Sequence, residues 1–297
     1  MIYLKKIDKS EKQKILSIDG VASISLCKRG REPKAKIEII KGYSKKDIPK
    51  RVDGYKTKIV EIEENDLDKP SIQTDVSLYT QKNRPLFPGC QISSGISGFG
   101  SIGFMVDYNG QLYVITVAHL LSGDWQGVEM YQPLKSYGDD GDNKIGEITH
   151  WVDIYKNSPD DVKPSDSMAI KLNNEIEVTN KPMEVDNFIP EDFIEPELDM
   201  EVYHFGRTTG MRKGKIVEVD VTVRLNDDPN WYCENLFRTD SISEPGDSGG
   251  CVMSIDPPAI LGTHVGGSSR GTLSNDVLEI FKALDFDINK VKLVDEA

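Results

Sequence analysis

Apolar and polar positions change rhythm along this chain. KSEKQKILSI, residues 9–18, spaces its apolar side chains as a short helix does, and VASISLCKRG (21–30) and AKIEIIKG (35–42) read as strands. A turn or short helix at YSKKDIPK (43–50) and a strand at KTKIVEIE (56–63) complete a small α/β unit. ENDLDKPSIQTDVSLYTQKNRP (64–85) is polar, holds two prolines and has no clear period, so it reads as a linker. Beyond it the chain turns β-rich. IGFMVDY (102–108) and QLYVITVA (111–118) flank Asn109-Gly110, the strongest short-range hairpin signal. KIGEITHWVDIY (144–155), SMAIKL (167–172), MEVYHFG (200–206), GKIVEVDVTVRL (214–225), GGCVMSI (249–255) and AILGTHVGG (259–267) continue the series. Many short strands at this spacing predict barrels or a sandwich. SNDVLEIFKALDF (274–286) predicts a closing amphipathic helix, with Ser274 or Asn275 as N-cap and Val277, Leu278, Phe281 and Leu284 on one face.

Charge divides the chain in the same place. The net charge is -13, yet residues 1–60 carry 17 Lys+Arg against 7 Asp+Glu, and residues 61–297 carry 19 against 42. Opposite fields suggest two units. The basic segment can be a solvated lysine-rich face, can dock on its acidic neighbour or can recruit an acidic partner; few aromatics and no nucleic-acid motif make nucleic acid an unexpected one. The composition, 38% hydrophobic and 29% charged, is that of an ordinary soluble protein. No apolar run approaches the roughly 18 residues that span a bilayer. MIYLKKIDKSEKQK has no apolar signal core after its charges, so secretion is not expected and the cytoplasm is. Cys27, Cys90, Cys233 and Cys251 are scattered without a CxxC pair, a pattern for free thiols rather than a disulfide frame or a zinc site.

EPGDSGGCV (244–252) admits two readings of Ser248: a residue in a Gly-rich turn, or a nucleophile held up by that turn. A serine hydroxyl needs a base to take its proton and a third group to orient the base. His119, in VITVAHLL, sits where an apolar strand ends, and Asp166, in PSDSMAIKL, stands at the entrance to another. Singly, His119 is equally a packed core histidine and Asp166 a turn residue, with Asp160 and Asp161 as rival carboxylates. In the order His, Asp, Ser they are a candidate triad. Gly246-Asp247-Ser248-Gly249-Gly250 also satisfies GxSxG, the nucleophile elbow of α/β-hydrolases. That fold needs a helix next and strands bearing the other two residues; here a β-type run follows and only 47 residues remain.

ITVAHLL, DSMAIKL and EPGDSGGCV resemble the signature segments of trypsin-like serine proteases with the chymotrypsin fold. RPLFPGCQI (84–92), FGRTTGMRKGKIV (205–217) and IPKRVDGYKTKIVEIE (48–63) are similar to segments of a bacterial intracellular branch of such peptidases, whose catalytic unit follows a small domain. The resemblance implies a mainly β, chymotrypsin-like double β-barrel with a small N-terminal α/β domain and a C-terminal helix. The boundaries expected are 1–75 for the small basic domain, 76–85 for a linker, 86–190 and 191–275 for two six-stranded barrels, and 276–297 for the helix and tail. It implies a serine endopeptidase acting on protein or peptide substrates, with Ser248 as nucleophile, His119 as base and Asp166 as orienter. The amides of Gly246 and Ser248 form the oxyanion hole, and neither metal nor cofactor is needed. Ser101, in FGSIGF, stands where Thr is commoner. Asp247 matches the aspartate that pairs with a freed N-terminus in trypsin relatives, but no IVGG-like start precedes the catalytic unit. Asp247 therefore needs another partner, or the enzyme waits for an activating protein acting through the N-terminal domain. The alternative class is a partner-gated or inactive protease-fold binding module serving as sensor or scaffold.

Specificity rests on SISEP (241–245) and AILGTHVGG. Ile242 stands near the position of trypsin's acidic floor, so cleavage after Arg or Lys is not expected. His264 and Gly266 in GTHVGG, with Ser243, resemble the pocket of proteases that cleave after Gln or Glu, where an imidazole N–H and a hydroxyl hold the side-chain oxygen. The plain alternative is a barrel-core His264 satisfied by a backbone carbonyl.

Overall fold

The computed structural model describes residues 4–29, 32–64, 69–70, 78–95, 98–121, 125–134, 143–154, 162–225 and 231–294. The N-terminal unit begins with α1 (Lys9–Leu16), capped by Asp8, whose carboxylate accepts from the Ser10 amide. β1 (Val21–Arg29) and β2 (Glu32–Ile40) pair antiparallel. β3 (Arg51–Val52) hairpins onto β4 (Tyr55–Ile62), which runs parallel to β2. Residues 43–50 form turns, not a helix. Ile15 and Leu16 of the helix bury against Ile24, Ile37, Ile39 and Val52, the inward positions of these strands. β5 is the two-residue strand Lys69–Pro70.

Two sheets make up the rest. The first has the order β20-β8-β9-β12-β11-β10-β6-β7. Its members are β6 (Gln91–Ser93), β7 (Phe99–Ser101), β8 (Phe104–Tyr108), β9 (Gln111–Thr116), β10 (Glu129–Tyr131), β11 (Lys144–Trp151), β12 (Met168–Leu172) and, from the far end of the chain, β20 (Val291–Leu293). Asn109 and Gly110 take φ of 56° and 82°, the paired positive values of a tight hairpin turn, and join β8 to β9. The second sheet holds β13 (Asp192–Phe193), β14 (Glu201–Gly206), β15 (Gly210–Leu225), β16 (Trp231–Thr239), β17 (Cys251–Ser254), β18 (Ala259–Ser268) and β19 (Gly271–Asp276). It does not end there. β1 pairs antiparallel with β15, so the N-terminal strands extend it to 12 strands, ordered β14-β17-β18-β19-β16-β15-β1-β2-β4-β3, with β5 and β13 both on β18. The chain is mainly β, with two sheets, a short N-terminal helix and a C-terminal one, α2 (Val277–Ala283).

Three sequence expectations need correction. Ser274 and Asn275 do not cap α2: they remain in β19, paired to Phe237 and Leu236, and Asp276 caps the helix by accepting from the Leu278 amide. Part of the expected linker 76–85 is packed structure: Tyr79 is buried and its hydroxyl donates to Glu184 at 2.7 Å, while Asn83 Nδ2 donates to the carbonyls of Leu78 and Gln81. Among the described residues the sheets hold eight and twelve strands rather than six each: β20 joins β6–β12 in the first, and β1–β5 join β13–β19 in the second.

The basic segment docks on its acidic neighbour. Lys12 and Asp220 form a buried pair, Lys9 meets Glu234 at 2.8 Å, and Lys6 reaches Glu195, Asp276 and Glu279. Lys36 and Glu38 of β2 form a buried ionic cluster with Glu218 and Arg238, which the half-buried Arg270 joins through Glu38. Burial alone would raise the Glu38 carboxyl, but Arg238, Lys36 and Arg270 override it and hold it well below the usual range. No helix among the described residues is long and apolar enough to cross a membrane. All four cysteines are free and buried, and burial pushes the Cys90 thiol up to about 12.

Candidate active site

In the first sheet Thr116 of β9 lies opposite Met168 of β12, so the residues after one strand and before the other meet at one edge. His119 sits in the 3-10 turn Ala118–Leu120 that follows β9, and Asp166 in the loop entering β12. The Asp166 carboxylate is fully buried. Its Oδ1 accepts from the amides of Ala118 (2.8 Å) and His119 (3.0 Å), the free N–H groups at the start of that turn. Its Oδ2 lies 2.5 Å from His119 Nδ1. An ionised carboxylate only accepts, so Nδ1 carries the proton and the neutral ring presents the Nε2 lone pair. Tautomer and orientation are both fixed by Asp166. The rival carboxylates Asp160 and Asp161 lie outside the described residues.

Ser248 comes from the second sheet, in the loop between β16 and β17. Gly246 has φ 100°, and a Cβ there would stand 2.5 Å from Thr208 Oγ1, so only glycine fits. Asp247 Oδ1 accepts from the amides of Thr208 (2.9 Å) and Thr209 (3.0 Å), and Oδ2 from Glu244 N (2.9 Å). These three charge-assisted bonds give Asp247 its partner. The turn between β14 and β15 thus holds the loop without a chain terminus. Among the described residues the Gly246 and Ser248 amides donate to no other group. Ser101 ties the loop to the first sheet: its amide donates to Ser248 O at 2.7 Å, and its hydroxyl donates to Gly246 O and accepts from Arg207 N, each at 2.9 Å. A Cβ on Gly100 would stand 2.6 Å from both a Leu120 methyl and the Ser248 carbonyl oxygen, which measures how closely the His119 turn and the Ser248 loop approach. Ser248 is buried, and its Oγ lies 3.5 Å from Val265 O, a weak contact. The arrangement offers a fixed imidazole lone pair, a hydroxyl, and two undonated amides at a glycine turn, the parts of nucleophilic acyl transfer.

The structure brings Ser243 and His264 to one small cavity; Gly266, two residues further along β18, does not line it, and a Cβ on Gly267 would stand 3.2 Å from Ser243 Oγ. Ser243 Oγ and His264 Nε2 are buried with no hydrogen-bond partner among the described residues, and both line a cavity of about 10 Å³ with His204, Ser241 and Thr272. His264 Nδ1 lies 3.2 Å from Leu273 O. A carbonyl only accepts, so Nδ1 holds the proton and Nε2 is an acceptor in the neutral ring. This corrects the expected imidazole N–H facing the pocket. Burial lowers His264 to about 4; Asp247 and Asp166 act upward and His119 downward. His204, which donates to or accepts from Thr239 Oγ1 at 2.9 Å, is likewise lowered, to about 3, by burial and then by His264. Ile242 is 60% exposed at the rim.

Sequence reading missed two features. The first is Asn275, which touches Asp166 and which the helix pattern had absorbed as a cap. The second is β5. β17 pairs with β18 only as far as Thr263, and β19 covers the other edge, so the β17-side edge of β18 lies open from there on. Pro70 and Lys69 occupy it, antiparallel, opposite Gly266 and Gly267.

The profile of the family Trypsin matches residues 77–282. Among solved structures the chain is similar to protease A of Thermobifida fusca at 21% identity and a TM-score of 0.53, covering 70% of this chain and 98% of that one. A Nocardiopsis protease aligns at 20% identity and a TM-score of 0.51, over 67% and 96% of the two chains. A glutamic acid-specific serine protease, described as using a histidine triad in substrate binding, aligns at 19% and 0.53, over 70% and 100%. At these identities the likeness is one of fold. A search of curated proteins finds no match.

Proposed function

We propose that this chain, which belongs to the trypsin family, is a serine endopeptidase working through an acyl-enzyme. His119 Nε2 takes the Ser248 Oγ proton as Oγ attacks the scissile carbonyl carbon. The resulting oxyanion is met by the amides of Gly246 and Ser248, and the imidazolium by Asp166. The proton then passes to the leaving amine, and a water repeats the sequence to free the acid. The observation that carries this reading is the Asp166 carboxylate, which bonds His119 Nδ1 and both amides of its turn at once. A fluorophosphonate should label the native chain at Ser248 and leave the unfolded chain untouched; labelling that survives unfolding would count against it. The segments at 48–63, 84–92 and 205–217 favour the bacterial intracellular branch, and the four buried free thiols suit a cytoplasmic compartment.

For specificity, the acceptor at His264 Nε2 and the hydroxyl of Ser243 complement a carboxamide, which brings one donor and one acceptor. A glutamate carboxylate would need a proton on His264, which its burial opposes. Cleavage after Gln is therefore expected at neutral pH, and the ratio of Glu to Gln cleavage should rise only as pH falls toward about 4, where His264 gains its proton. His264→Ala should lower kcat/KM for a Gln substrate about 10- to 100-fold, by leaving the carboxamide unpaired. Preferred cleavage after Arg, Lys or Phe in a substrate library would overturn this. The solved protease described as glutamic acid-specific bears on the fold, not on this choice.

A gated resting state is favoured by a separate observation, the pairing of Lys69–Pro70 with Gly266–Gly267. An extended peptide whose carbonyl reaches Ser248 must run along this edge of β18, beside Val265, by strand addition. The tethered segment competes at an effective concentration on the order of millimolar. Inserting about ten Gly/Ser residues both after Glu64 and after Asp75 should slacken the tether on each side of Lys69–Pro70 and lower KM for peptides about tenfold. Fluorophosphonate labelling, which needs no strand pairing, should not change. An unchanged KM would remove the gated reading, and a partner would then have no such contact to displace.

A further inference from the structure

The proposed catalytic groups come from two different sheets, His119 and Asp166 from the first and Ser248 from the second. Something must fix the one pair relative to the other residue. Asn275, buried in β19, reaches across the boundary. Its Oδ1 accepts from the Asp166 amide at 3.0 Å and lies 3.2 Å from Ser165 Oγ. Its Nδ2 donates to the Asp166 carbonyl at 2.8 Å and to Thr263 Oγ1 at 2.9 Å. The Asp166 N–H can only donate and its C=O can only accept, so the amide orientation is dictated by the backbone it meets. A single side chain thus satisfies both main-chain groups of Asp166 and holds that residue from behind while its carboxylate holds His119. On its own side, Asn275 is paired with Thr263 of β18, and Thr263 with Cys251 of β17, three residues after Ser248.

We infer that Asn275 is a positioning residue that sets the Asp166–His119 pair in register with Ser248 across the sheet boundary. The inference rests on the triad reading above. Asn275 touches neither substrate nor reacting atoms and acts through Asp166. A misplacement of about 1 Å in such a constellation costs on the order of 10²-fold in rate.

The test uses the full chain and three variants: Asn275→Ala, Thr263→Val and, as a matched control, Ser254→Ala. Thr263→Val removes one anchor of the Asn275 amide and leaves Asp166 untouched. Ser254 is buried in the same second sheet and bonds Pro257 O, away from the site. Asn275→Ala is expected to lower kcat/KM and the fluorophosphonate labelling rate about 10²-fold, with KM nearly unchanged. The acid limb of the kcat/KM–pH profile should move to lower pH, because a less firmly held Asp166 carboxylate stabilises the imidazolium less well. The downfield proton resonance of the His119 Nδ1–H should move upfield. Thr263→Val should shift the profile and the resonance the same way with a smaller rate loss, which keeps the test open should the alanine variant not fold. Equal rate losses in Asn275→Ala and Ser254→Ala at equal melting temperature, with an unmoved resonance, would reduce Asn275 to fold support. A native chain that neither labels nor cleaves would instead remove the triad reading itself.

Discussion

Ser248→Ala should yield a folded protein whose peptide hydrolysis falls about 10⁶-fold, to background. Two physical reasons set this size. The other hydroxyls near the Gly246 turn among the described residues are committed to main-chain carbonyls, Ser101 to Gly246 O and Thr208 to Pro245 O at 2.7 Å, so neither is free to take over the acyl group. The substitution also leaves the scaffold alone. Ser248 Oγ makes one weak contact, to Val265 O at 3.5 Å, and its removal should cost less than about 1 kcal/mol. The loop is held by main-chain bonds and by Asp247, none of which uses that oxygen. Equal melting temperatures with lost hydrolysis and lost fluorophosphonate labelling are the expected pair of results. Undiminished hydrolysis by the purified variant would overturn the assignment of the nucleophile.

What the sequence made legible follows from which forces are local. The Asn109-Gly110 hairpin was readable because its φ values are a property of two adjacent residues. The strands of the N-terminal unit were readable from their apolar alternation, and α1 from its spacing. β16 was not, because Glu234 and Arg238 occupy buried positions there, and Arg238 is paid for by an ionic partner, Glu218, from β15. The β1–β15 pairing joins residues almost 200 positions apart, and no local pattern encodes it. The same division runs through the site. Ser248, His119 and Asp166 stood out as candidates because nucleophilic chemistry asks for those residue types. The partners of Asp247 were not, since they are backbone amides, which every residue carries. Asn275 was misread as a helix cap because Asn serves a cap and an inter-sheet clamp equally well.

Asp166→Asn should lower kcat/KM about 10⁴-fold at neutral pH while the protein stays folded. The amide oxygen of Asn can replace Oδ1 and still accept from the Ala118 and His119 amides, so the turn keeps its shape. Its NH2 group then faces His119 Nδ1. Two donors cannot share that 2.5 Å contact, so the ring must put its proton on Nε2 and turn Nδ1 into the acceptor. Nε2 can then no longer take the Ser248 proton. KM should change little, because Asp166 is fully buried behind the imidazole and meets no substrate. Steady-state kinetics with a thermal melt, run beside Ser248→Ala, separate this loss of tautomer from a loss of fold. A fall of less than about tenfold would mean that another carboxylate orients the base, with Asp160 and Asp161 the first to substitute.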